Sequence, residues 1–146
     1  MERKEIDLLN RMYQDATVGM LAIDKIMKKV NSETLKKLFE KQYNMYDKFA
    51  DKCTSVATAN DIELKENSFF KKFKQASMLY VSLWIDKTPR HIIEMMITGT
   101  VMGIVDTIKA SKDLKTKNQE LNEMVVEFEQ IQEDFYEKLK KQLAKV

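Results

Sequence analysis

One histidine, one cysteine and a run of small residues around an aspartate are the positions in this 146-residue chain whose types could do chemistry. His91 stands in His91-Ile-Ile-Glu94, a spacing that sets an imidazole and a carboxylate on one face of a helix. Two such ligands could hold a metal only weakly, so His91 and Glu94 are weak metal candidates, and a solvated histidine near a helix start is the preferred reading. Cys53 and the serines have one histidine between them as a possible base, and no Gly-rich elbow or phosphate loop occurs, so no nucleophilic site is expected. At helical spacing from Ala50 and Ala57, Cys53 reads as a small core residue. Gly99, Gly103, Asp106 and Ala110 recur along one helix face, where small residues let another backbone approach closely. If that face points inward, Asp106 is a buried acid that needs a partner such as Tyr13 or Tyr46. Tyr13, Gln42, Tyr46, Gly99, Gly103 and Asp106 are therefore the candidate ligand-binding residues, and substitution of either glycine by leucine is expected to overpack the contact. No catalytic residue and no cofactor are assigned.

The elements that must position these residues are helices. Three Gly and one Pro leave little material for turns, and Lys, Glu, Leu, Met, Ala and Gln abound. From Ile6 the apolar positions Leu9, Tyr13, Ala16, Met20, Ile23, Met27 and Val30 alternate steps of three and four, which makes one helix with a coiled-coil type of seam. Asn31-Ser32 caps a second helix with Leu35, Leu38, Gln42, Met45, Phe49 and Val56 on one line and Phe39, Tyr43, Tyr46, Ala50, Cys53 and Ala57 on the next, and it closes at Asn60-Asp61. A shorter aromatic helix is expected from Asn67 to about Lys87. Thr88-Pro89 starts the next, since Thr caps and Pro tolerates the first helical position. After a cap at Asn118, the last helix places Leu121, Met124, Phe128, Ile131, Phe135 and Leu139 on its seam. A helix over residues 32 to 59 is about 40 Å long, so residues 60 to 88 suffice to travel back along it as a crossover. The fold expected is all-α: an up-down-down-up four-helix bundle with an additional aromatic crossover helix between the second and third long helices, in a single domain over residues 1–146.

The stretch Arg90-His-Ile-Ile-Glu-Met-Met-Ile-Thr-Gly-Thr-Val-Met-Gly-Ile-Val-Asp106, taken with the segment from Leu8 to Gly19 and the aromatic crossover, resembles uncharacterised bacterial ferritin-like bundle proteins. The resemblance covers nearly the whole chain and implies the ferritin-like fold. Active di-iron members of the wider class need a Glu on each of two helices and a Glu-x-x-His on each of two others. Here the corresponding positions read Gln42-Tyr-Asn-Met45 and Glu127-Phe-Glu-Gln130, and a lone histidine cannot furnish two such arms. The metal residues do not carry over, and no enzyme is expected.

Twenty-five basic and 23 acidic side chains nearly cancel, which leaves no general field to draw in nucleic acid or an anionic membrane. The basic clusters Lys71-Lys72-Lys74 and Lys138-Lys140-Lys141 read as solvated surface. The lone cysteine, a polar N-terminus without a leader's apolar stretch, and uncharged runs of only eleven residues at 75–85 and 95–105 lead us to expect a cytoplasmic protein. Three readings of function follow. The first is a non-enzymatic, self-associating structural or protein-interaction module, a dimer before any other homo-oligomer, with Phe70, Met78, Val81 and Ile85 as the interface on the crossover helix. The second is a carrier of a small apolar ligand in a bundle interior lined by methionine, with Met20, Met27, Met45, Met95, Met96, Met102 and Met124 at or beside seam positions. The third is residual metal binding at His91 and Glu94.

Overall fold

A computed structural model describes residues 1–65, 88–112 and 117–146. Among these residues the chain forms four α-helices and no strand: α1 (Arg3–Met27), α2 (Glu33–Ala59), α3 (Pro89–Lys112) and α4 (Gln119–Leu143). The expected crossover helix at 67–87, its interface residues Phe70, Met78, Val81 and Ile85, and the cluster Lys71-Lys72-Lys74 lie outside the described residues.

Local chemistry sets the helix ends. The Glu2 amide donates to Glu5 Oε1 at 3.1 Å, half of a capping box that opens α1. Ser32 Oγ accepts from the Leu35 amide at 3.3 Å and Asn118 Oδ1 from the Leu121 amide at 3.1 Å, so both caps expected from sequence occupy first-turn amides. Thr88 Oγ1 does the same for the His91 amide ahead of Pro89. Helix α2 stops where Asp61 turns into the left-handed region at φ 54°, and the Ile62 amide returns to the Ala57 carbonyl at 2.8 Å.

The core is aromatic between α2 and α4. Phe39 meets Phe135 edge to face at 6.2 Å, Gln42 Nε2 donates to the Ile131 carbonyl, and Phe49 stacks on Phe128 at 4.5 Å. As the residue number rises on α2 it falls on α4, so these two helices run antiparallel. Helices α1 and α2 pack closely across the short turn at 28–32, and α3 packs on α4 and α1. Fully buried Leu9, Met12, Ile23, Ile93, Leu121, Met124 and Leu139 complete the interior, drawing on all four helices.

Helix α3 differs from the others. Its inner side buries Ile92, Ile93, Met96, Thr100 and Thr107, yet its outer side carries Val101, Met102, Val105 and Ile108, each exposed. Of eight large hydrophobic side chains exposed among the described residues, these four share one helix, so they form a patch. Helix α3 is also long and apolar enough to cross a membrane by length and composition, with 28% of its most apolar stretch buried. Counting uncharged runs missed this because Glu94 and Asp106 interrupt a stretch that stays apolar around them.

Candidate functional site

Between α1 and α3 the bundle holds a cluster of charged side chains. Arg11 and Asp15 are one turn apart on α1 and therefore share a face, and Asp106 approaches that face from α3. The Arg11 guanidinium grips the Asp106 carboxylate with two bonds, Nε to Oδ2 at 2.6 Å and Nη2 to Oδ1, in the forked geometry that gives the strongest form of this contact. The side chains are 36% and 18% exposed, so the pair is partly withdrawn from water. Asp15 completes the cluster with its Oδ2 atom buried.

The two carboxyls titrate in opposite directions. Burial pushes Asp15 up to about 9, the neighbouring Asp106 pushes the same way, and Arg11 offsets only part of it. Burial works to raise Asp106 as well, but the bonds from Arg11 and Asp15 more than reverse that and hold it below the usual carboxylate range. At neutral pH the cluster therefore contains one guanidinium, one carboxylate and one carboxylic acid, with no net charge. Such an arrangement can hold a proton inside the bundle, and it ties α1 to α3.

Around this cluster the polar side chains are enclosed. On α2, burial pushes the Tyr46 hydroxyl up to about 12, with Gln42 acting in the opposite sense and Asp15 in the same sense. Gln42 and Gln132 are both buried, and Gln132 Oε1 has no hydrogen-bond partner. Gln14 reaches the Lys65 carbonyl at 2.6 Å and Asn10 Oδ1 accepts from the Lys65 amide, which fixes the end of the 60–65 segment against α1.

The six candidate ligand residues are placed differently, with Tyr46, and Gln42 beside it, near Asp15 of the cluster. Asp106 is drawn inward as expected, but its partner is Arg11, and Tyr13 instead packs half-buried against the hydrophobic core. Gln42 and Tyr46 are buried on α2. Gly103 has a close neighbour, the tip of a side chain rather than the expected backbone, since an added Cβ would lie 3.2 Å from Gln132 Nε2. Gly99 does not: it is exposed and an added Cβ would meet open space, because it falls outside the buried arc of α3. The glycine on which another helix presses hardest is Gly19 of α1, where an added Cβ would stand 2.6 Å from the Tyr46 ring. Sequence reading passed over Arg11, Asp15, Gln132 and Gly19. Arg11 and Asp15 look like a solvated i, i+4 pair, and of the two only Asp15 adjoins a residue read as seam, Ala16.

His91 is half-buried, and Glu94 bonds the Arg90 guanidinium at 3.1 Å. Among the described residues no three His, Cys, Asp or Glu side chains converge as metal ligands. Of the methionines expected to line the interior, Met96 and Met124 are buried, as is Met12, but Met45 and Met102 are exposed because they fall on the outer sides of their helices. Two surface hollows, one beside Lys37, Asn44 and Lys48 and one beside Ile23, Met27 and Tyr43, are open to solvent. No protein-family model, curated protein or solved structure matches this chain.

Proposed function

We propose that this chain is a non-enzymatic helical-bundle protein that works by self-association, with the outer face of α3 as its contact surface. The observation that carries this reading is the stripe of Val101, Met102, Val105 and Ile108, exposed by 39 to 59% while the opposite side of the same helix is buried. A monomer rarely leaves contiguous apolar surface uncovered, and a twofold copy is its commonest cover. The antiparallel α2 and α4, together with the α1·α2 and α3·α4 pairs, support a ferritin-like up-down-down-up order of the four helices. In this reading the Arg11–Asp106 pair fixes the inner side of α3 so that the stripe is presented outward.

The test is light scattering on the full chain from about 1 to 200 μM, a span that brackets transient and stable pairs. A mass of two chains is expected, halved by Val101→Glu together with Val105→Glu while the helical circular dichroism persists. A wild-type mass of one chain over the whole range would overturn the proposal. A second reading, attachment of the same stripe to a lipid surface, has the length and apolarity of α3 in its favour. Flotation of the monomeric chain with phosphatidylcholine vesicles would select it.

A further inference from the structure

Resting on that reading, we infer that two copies pair antiparallel along α3, about a twofold axis at the level of Gly103, so that Glu94 of each copy meets the partner's Lys112.

The outer line of α3 reads Glu94, Thr98, Val101, Val105, Ile108, Lys112, with steps of four, three, four, three and four. All six are exposed. At about 100° per residue they fall within a sector of about 80° centred opposite the buried side chains, which is the seam of a coiled coil. The order of steps is the same read from either end, so one antiparallel register sets every seam residue against another seam residue. In that register Val101 faces the partner's Val105, Thr98 faces the partner's Ile108, and Glu94 faces the partner's Lys112. Thr98 suits an apolar layer, because its hydroxyl already donates to the Glu94 carbonyl at 3.1 Å and leaves the methyl for packing.

Charge selects this orientation over the parallel one. A parallel pair would set Glu94 against the partner's Glu94 and Lys112 against the partner's Lys112, repulsion at both ends of the stripe. Antiparallel pairing turns both ends into attractions, and Lys109 adds a second cation one turn from each. Glu94 also keeps its bond to Arg90, since a carboxylate accepts from more than one donor. The apolar layers between the charged ends are few, so the contact is a reversible one.

Charge exchange within one chain tests the register. Positions 94 and 112 lie about 27 Å apart on the same helix, too far to pair with each other, so any rescue between them must come from a second copy. Glu94→Lys alone and Lys112→Glu alone should each raise the dimer dissociation constant about tenfold, since two pairs per dimer turn from attraction to repulsion. The double variant Glu94→Lys, Lys112→Glu should return it to within about twofold of wild type. A double variant no tighter than the weaker single would overturn the antiparallel register, even if the Val101→Glu, Val105→Glu variant still halves the mass and self-association through α3 stands. If the wild-type chain is monomeric, the register and the proposed function fall together. All the substituted side chains are exposed, and unchanged circular dichroism identifies a variant that has kept its fold.

Discussion

A carboxylic acid kept protonated beside an ion pair gives Asp15 a calculable effect on stability. Its ordinary value is 3.8 and the folded chain raises it to about 9. Across that window the folded state holds a proton that the unfolded state has released, so the stabilisation is complete below the ordinary value and is lost as pH rises towards 9. Asp106, shifted downward, acts in the opposite sense and loses its contribution only in acid. Urea unfolding should therefore show the wild type most stable on the mildly acid side and weakening steadily from about pH 5 to 9, by no more than about 1.4 kcal/mol per unit. Asp15→Asn should flatten that slope and match or exceed wild-type stability at pH 8.5; parallel profiles for the two proteins would refute the assignment. Part of this cluster was legible beforehand. Asp106 stood among small residues on a face that could point inward, and it is half-buried, whereas Arg11 lies 95 positions away and became its partner only through the relative placement of α1 and α3.

At the scale of helices, the two kinds of glycine in this bundle should respond oppositely to the same change. Gly19 lies under the buried Tyr46 ring, so Gly19→Ala forces a Cβ into a space already filled and should destabilise the fold by about 1–3 kcal/mol. Gly99 faces open space within a helix, and Gly99→Ala should stabilise by about 0.5–1 kcal/mol by restricting the unfolded chain. Denaturant titration of both variants measures this directly, and equal shifts would mean that α1 and α2 are not in the contact described. Helix types and caps were readable because periodicity and capping depend on residues a few positions apart, whereas the expected seams included Tyr13 and Met45, which the packing leaves half-buried and exposed. Which side of α3 faces inward was not, because that helix is apolar nearly all round and its pattern leaves the buried arc undecided until α1 and α4 pack against it.

Taken as a whole, the molecule protects its one thiol. Cys53 is buried on α2, and burial, reinforced by Glu127, pushes it up to about 12. Iodoacetamide at pH 8 should therefore modify the native protein very slowly and the urea-unfolded protein rapidly, with the reacted fraction following the unfolding curve. Rapid labelling without denaturant would show that α2 opens from the bundle independently. The thiol thus reports on the same packing that seats Phe49 on Phe128.

The sequence by itself determined that the stretches observed as helices at 3–27, 33–59, 89–112 and 119–143 are helical, and it marked most of their ends. It also showed that one chain cannot supply the two histidines of a di-iron site, since His91 stands alone. Both conclusions rest on composition and short-range spacing. Tertiary structure alone decided that Arg11 and Asp15 leave solvent to meet Asp106, that Gly19 and not Gly99 is pressed by a neighbouring helix, and that Val101, Val105 and Ile108 remain outside. Each depends on how one helix is rotated against another, and that rotation is set by the sum of many apolar contacts across the whole interior, among them Phe39 on Phe135 and Phe49 on Phe128. A residue's neighbours along the chain carry no record of that sum.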